Sequence, residues 1–210
     1  MRGVQMTTVW LAIAVGSMAL VAQDSTFTRL RVREDIEIRV PAVWRVVPSE
    51  MRKVVATVAE AALMLSDVAV PKGANGSLFI AVSPEGLPWA EVRVSAYPLT
   101  ITGLTVSSAS QSTLATAARA LREPLAKALP HIGSRVVGEF TARKDILSGY
   151  PTLVIEGGQT EDGTDVVLKT QTNRIMLVDQ EVVLTFIWQP KEIWDPVIQA
   201  IRQSFVIRRK

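Results

Sequence analysis

Short runs of alternating apolar and polar residues, joined by tight turns, limit the folds open to this chain more than any other feature. Asp35–Val40 alternates strictly and is followed by Pro41, which is typical of a half-buried strand and its end. Leu78–Val82 is apolar throughout, and Trp89–Tyr97 alternates again. Because Ser83–Gly86 between these two runs carries tight-turn residues, we predict a β-hairpin with antiparallel strands.

The last third of the chain repeats this pattern. Glu161–Thr164 and Asp179–Gln180 are short turns between strand-like runs, and the Asp-Gly pair in the first turn is a hairpin signal. Strands are predicted at Arg135–Ala142, Thr152–Glu156, Asp165–Thr172, Arg174–Val178 and Glu181–Trp188.

Three segments have helical periodicity instead. The first begins at Pro48–Glu50 with Ser49 as its expected N-cap, and the second spans Ser110–Leu129 with an expected kink at Pro124. The third begins at Asp195–Pro196, as N-cap and first helical residue. The predicted buried faces are Met51, Val54, Val55, Val58, Ala62 and Leu65 in the first helix, Leu114, Ala118, Leu121, Leu125 and Leu129 in the second, and Ile198, Ile201 and Phe205 in the third.

Strands joined by tight turns, in blocks separate from the helices, favour an α+β fold over a doubly wound parallel sheet. We therefore predict an antiparallel β-sheet flanked by helices, as an α-β-α sandwich. No repeat or linker divides the chain after its first 22 residues, which predicts a single domain over residues 23–210. Trp44 follows the first alternating strand and is expected to cap the edge of the core.

The first 22 residues have the order of a signal peptide. Arg2 precedes the apolar run Val9–Val15, and the small-residue stretch Gly16–Ala22 follows it, so that cleavage after Ala19 or after Ala22 is predicted. An uncleaved membrane anchor is the alternative interpretation. A lipid anchor is excluded, because Gln23 stands where a lipidated cysteine would be. We expect an exported protein of the periplasm or the extracellular space.

Composition excludes several classes of chemistry. The 210 residues include no cysteine and one histidine, which excludes disulfides, thiolate nucleophiles, cysteine-ligated zinc and multi-histidine metal sites. The formal net charge is only +3, and the basic residues are dispersed except in Arg29–Arg33 and Arg208–Lys210. Basic and apolar residues alternate in Arg29–Arg33, which predicts that these arginines form the solvent face of a strand. No nucleic-acid partner is expected, because no basic patch with stacking aromatics is visible.

The remaining reactive side chains have structural explanations. His131 and Ser134 lie three apart in a helix-to-strand connection, without a nucleophile-elbow motif. An acidic group surrounds the predicted Asp-Gly turn: Glu156, Glu161, Asp162 and Asp165. Its spacing does not match an EF-hand loop. We therefore assign no catalytic, cofactor-binding or metal-binding residue. Trp89 is the best candidate for an exposed aromatic on a binding surface.

Several short motifs are spread over most of the chain after residue 22. An apolar-Pro-x-x-Trp opening is present as Val40, Pro41 and Trp44. Further motifs are Gly149–Pro151 before a strand, the hairpin through Asp162-Gly163, the strand Val182–Phe186, and an ending with Ser204-Phe205-Val206 after the last helix. Together these motifs resemble the PsbP-like superfamily, which includes DcrB-like envelope proteins.

This resemblance implies an antiparallel sheet sandwiched by helices, in agreement with the order of elements. It also implies a non-enzymatic accessory or assembly role in a larger complex. No match to the metal-binding histidines of plant members is present, so the resemblance implies no metal and no cofactor.

The leading hypothesis is an exported, non-enzymatic accessory or binding protein of the bacterial cell envelope that acts through a protein partner. Its surface would lie near Trp89 and the hairpin at Glu161-Asp162. One alternative is a periplasmic hydrolase that uses carboxylates, which requires two acidic residues converging in a cleft with raised pKa values. Another is a membrane-anchored subunit of a larger complex.

Overall fold

The computed structural model describes residues 26–66 and 76–208, which form two antiparallel sheets. The predicted signal peptide and its cleavage sites lie outside the described residues. The strands are β1 (Phe27–Arg33), β2 (Ile36–Pro41), β3 (Arg45–Val46), β4 (Ser77–Val82), β5 (Ala90–Pro98), β6 (Ser134–Leu147), β7 (Tyr150–Glu161), β8 (Val167–Met176), β9 (Gln180–Trp188) and β10 (Val206–Ile207). The order β1-β2-β10 forms a small sheet, and β3-β4-β5-β9-β8-β7-β6 forms a large one.

Within the described ranges, four α-helices flank the sheets, and the predicted α+β class is confirmed. They are α1 (Ser49–Leu65), α2 (Gly103–Ser108), α3 (Gln111–Ala128) and α4 (Trp194–Gln203), with a 3-10 turn at Leu129–Ile132. In residues 26–66 and 76–208, no helix is long and apolar enough to cross a membrane.

The larger apolar core lies between the two sheets and α4. Strand alternation directs Ile36 and Ile38 of β2 into this core, where they join Leu184 and Phe186 of β9 and Ile198 of α4. Trp44 is buried as predicted and packs edge-to-face on Trp194, with ring centroids 5.6 Å apart. This core joins residues from both ends of the chain.

A smaller core lies on the opposite face of the large sheet, under α2 and α3. Leu114 and Ala118 of α3 pack there against Leu153 and Ile155 of β7. Pro124 lies inside α3, as predicted. The apolar residues of α3 therefore face the sheet, as their spacing predicts.

The predicted hairpins are present, with some changes in strand length. β4 pairs with β5, and β7 with β8, both antiparallel. The two strands predicted on either side of Asn173 are a single strand, β8, so this division was wrong. The ladder continues through Asn173, which is opposite Leu184 in β9. Its fully buried side chain is satisfied, because Nδ2 donates to the Leu184 carbonyl and Oδ1 accepts from Arg202.

The sequence predicted the start of one helix correctly and the N-caps of two others incorrectly. Ser110 is the N-cap of α3, and its hydroxyl accepts from the Thr113 amide. Ser49 is not the N-cap of α1, because Pro48 holds that position and provides no side-chain hydrogen bond. Asp195 is likewise inside α4 rather than at its cap. The sequence did not predict α2, which lies in the Ser/Thr-rich segment.

The β6–β7 connection fixes the register of the longest strands. Ser148 and Gly149 both have positive φ, at 55° and 80°, as a two-residue type I′ turn requires. The Ser148 hydroxyl accepts from the Ile207 amide, which joins this turn to the small sheet. The turn thus ties the edge of the large sheet to β10.

Candidate functional site

Helix α1 has more apolar surface than its packing covers. Its predicted buried face was largely wrong: Ala62 is buried and Val55 is half-buried, whereas the remaining positions are exposed. We call these exposed residues the outer row of α1: Met51, Val54, Val58 and Leu65. Each has about half or more of its surface exposed, from 49% at Val58 to 69% at Leu65.

The geometry of an α-helix explains this division. Successive residues turn by about 100°, so the 3-4 spacing from Met51 to Leu65 forms one stripe, with Val55 and Ala62 immediately beside it. α1 packs against α3, β4 and the 3-10 turn through the side that carries Val55 and Ala62. The apolar arc is therefore wider than the contact, and the outer row remains uncovered by the described residues.

Several interactions fix α1 at its beginning. The Arg52 guanidinium donates to the Val47 carbonyl at 2.9 Å. The Ser49 hydroxyl donates to the Glu50 carboxylate at 2.8 Å, and this bond is the largest cause of a lowered pKa at Glu50. A carboxylate in the first turn also interacts favourably with the helix dipole. The outer row is therefore presented on a helix with a defined start.

Trp89 is exposed, as predicted, with 44% of its surface accessible. Its carbonyl accepts from the Gln189 amide at 2.8 Å, which fixes the residue at the end of the large sheet. The other described tryptophans, Trp44, Trp188 and Trp194, are buried. They pack in the core, as the sequence predicts for Trp44.

A cleft of about 350 Å³ lies between β7–β9 and α4. Gln171 is buried, and its Nε2 donates to Glu156 at 2.8 Å. Its Oε1 has no hydrogen-bond partner in the described residues. At the rim, the Trp188 indole donates to Asp195, and Lys169 lies 3.7 Å from the same carboxylate. Lys169 and Asp195 therefore form an ion pair at the rim, and Glu156 pairs with Arg143 outside the cleft lining.

An ion-pair network continues from this cleft across β6. Asp145 accepts from Arg143 and from Arg202, and Arg202 also reaches Asn173. Burial alone would raise the pKa of the Asp145 carboxyl, but hydrogen bonds from Arg143, the Ile146 amide and Arg202, with the charge of Arg202, outweigh burial and lower that pKa. A general acid at neutral pH needs a raised pKa. The geometry of Asp145 therefore fits a structural ion pair.

The acidic residues considered for catalysis do not converge. Glu161, Asp162 and Asp165 are exposed at the β7–β8 connection, whereas Glu156 lies within β7, about 17 Å from Glu161 along the strand. No group of three metal-ligating side chains is present in the described part of the chain. His131 is exposed in the 3-10 turn, and no hydrogen bond to Ser134 is present.

No family model matches this chain. No curated protein matches it either. Among solved structures, it is similar to the Ran-binding protein Mog1p of Saccharomyces cerevisiae, at 10% identity and a TM-score of 0.45, over 88% of this chain and 96% of that one. It is also similar to LpqN of Mycobacterium tuberculosis, described as involved in cell envelope biogenesis, at 14% identity and a TM-score of 0.43, over 91% and 97%.

Proposed function

We propose that this protein is an exported, non-enzymatic accessory or binding protein of the PsbP-like superfamily, which acts in the bacterial cell envelope by holding a protein partner. The order of the N-terminal sequence supports export, and the order of strands and helices supports the superfamily.

The observation that carries the proposal is the outer row of α1. Monomeric proteins rarely leave a contiguous apolar stripe uncovered, and such stripes mark contact sites for other chains. A partner helix with its own apolar face would fit a row with 3-4 spacing, as in helix-in-groove recognition. Here Val54 and Val58 would form the centre of the contact.

Site-specific photo-crosslinking in the native envelope tests the proposal. We expect a crosslinking residue at position 58 to give a discrete adduct with one other protein. The control is position 178, because Val178 is 93% exposed but lies far from α1 in sequence, in the β8–β9 turn. Val54→Gln in the same chain should abolish the adduct, since it introduces a polar group into the contact.

Three outcomes would contradict the proposal. These are the absence of an adduct at position 58, the same adduct at position 178, and an adduct with twice the mass of this chain. The last would identify a second copy as the occupant of the outer row.

A further inference from the structure

The basic run Arg29–Arg33 meets Arg208, the described residue of the second basic run, on one face of the small sheet. Arg29 of β1 is directly opposite Arg39 of β2, and Arg31 is opposite Glu37. β10 pairs with the other side of β2 and places Val206 opposite Glu37. Since residues that pair across strands share a face, these side chains all lie on the side away from the core.

Glu37 joins the two runs. Its carboxylate accepts from the Arg29 guanidinium at 2.5 Å and from Arg208 at 2.6 Å, although the two arginines are 179 positions apart in the printed sequence. Burial alone would raise the pKa of the Glu37 carboxyl, but the hydrogen bonds and charges of both arginines outweigh burial and lower that pKa. Glu37 therefore stays charged and holds β1 and the end of the chain together.

We define the arginine face as Arg29, Arg31, Arg39 and Arg208. Four guanidinium groups against the single carboxylate of Glu37 leave three net positive charges on this face. These four arginines and Glu37 together carry an excess equal to the formal net charge of the whole chain, which is +3. Glu34 and Asp35 lie at its end, in the β1–β2 turn, where Asp35 pairs with Arg33.

Two members of the face are available to a ligand. Arg31 and Arg39 are exposed, and neither forms an ion pair in the described ranges. Beside them is a shallow cleft of about 270 Å³, lined by Arg29, Arg39 and Ser204 together with neighbouring residues of the sheet and α4. Guanidinium groups present paired donors that match phosphate oxygens.

We propose that the arginine face docks on an anionic phospholipid surface. Charge complementarity favours an anionic occupant, and chain connectivity favours a lipid. The N-terminal apolar and small-residue segment ends at Ala22, five residues before the start of β1 at Phe27. Five residues span at most about 17 Å, so an N-terminus that is not cleaved and stays in the membrane would hold the small sheet against the headgroups. The face does not include α1, so this proposal does not depend on the outer row, but its lipid occupant rests on the uncleaved-anchor alternative.

Vesicle flotation of the full chain tests the proposal. The probes are vesicles of phosphatidylcholine alone and vesicles in which phosphatidylglycerol is added. We expect a larger bound fraction on the anionic vesicles, and we expect added salt to remove the difference because it screens exposed charges. Arg31→Gln with Arg39→Gln should reduce the anionic preference roughly twentyfold, at about fivefold for each arginine.

A matched variant separates the face from bulk charge. Arg119→Gln with Arg135→Gln removes the same two charges from other exposed positions and should leave the preference nearly unchanged. Circular dichroism of both double variants checks their fold. Equal losses in both variants, no loss in either, or equal binding to the two vesicle types would overturn the proposal. Equally tight, arginine-dependent binding to soluble polyglutamate would also overturn it, in favour of an acidic protein.

Discussion

Helices α1 and α3 have nearly the same length, 17 and 18 residues, but the protein uses their apolar faces differently. In α3, Leu114 and Ala118 are buried against the sheet. In α1, Val54 and Val58 have the same helical spacing but remain exposed. Periodicity therefore shows which residues share a face, whereas burial depends on what the rest of the chain places against that face.

The largest expected effect is a difference in the free energy of unfolding between matched core and outer-row substitutions. Leu114→Ala should cost about 3 kcal/mol, because it leaves a cavity among Leu153, Ile155 and Met176. Val58→Ala should change stability by less than about 0.5 kcal/mol, because its side chain is half exposed. Urea denaturation measures both. Similar losses in the two variants would show that the outer row is covered in the isolated protein.

A smaller difference is expected at the helix starts. Ser110→Ala should cost about 1 kcal/mol, since it removes the hydroxyl that accepts from the Thr113 amide. Ser49→Ala should have almost no effect on global stability, because Ser49 does not cap α1. Thermal and urea unfolding of the two variants provides the comparison. A cost at Ser49 that equals the cost at Ser110 would mean that α1 begins one residue later than described.

The sequence predicted most elements because their signals are local. Alternation located the β4–β5 and β7–β8 hairpins, and a serine before an apolar stripe located α3. Three features depend on distant residues and could not be read locally. The exposure of Val58 depends on what packs on α1, the buried side chain of Asn173 in β8 has its Oδ1 hydrogen-bonded only because Arg202 reaches it, and the arginine face depends on β10 returning to β2.

The candidate sites, like the secondary structure, could be predicted only where their sequence signals are local. The exposure of Trp89 was predicted, because an aromatic residue beside a Gly-Leu-Pro turn has few neighbours along the chain. The periodicity of α1 identifies the outer row as apolar and predicts its burial in the core, whereas the structure leaves it exposed. The basic runs were both noted, yet only the three-dimensional pairing of residues from the two chain ends unites them through Glu37.

The smallest predicted effect is a pH dependence that α1 has and α3 lacks. Glu50 lies in the first turn of α1, whereas the first turn of α3 has no acidic residue. The hydrogen bond from Ser49 lowers the pKa of Glu50 below its ordinary value of 4.5. A lowered folded-state pKa means that this stabilisation is complete above pH 4.5 and is lost as the pH falls through the lower folded value. The start of α1 should therefore fray in acid before the start of α3 does.

NMR titration of the Glu50 carboxyl, with amide exchange in the first turn of each helix, measures this dependence. Ser49→Ala should move the pKa of Glu50 upward, toward its ordinary value, because the largest cause of the lowering is removed. The amides at the start of α3 should keep their protection over the same pH range, since Ser110 is neutral. An unchanged Glu50 titration in the variant would show that the helix dipole, rather than the Ser49 hydroxyl, stabilises the carboxylate. In that case Glu50 would act on the start of α1 through its charge alone.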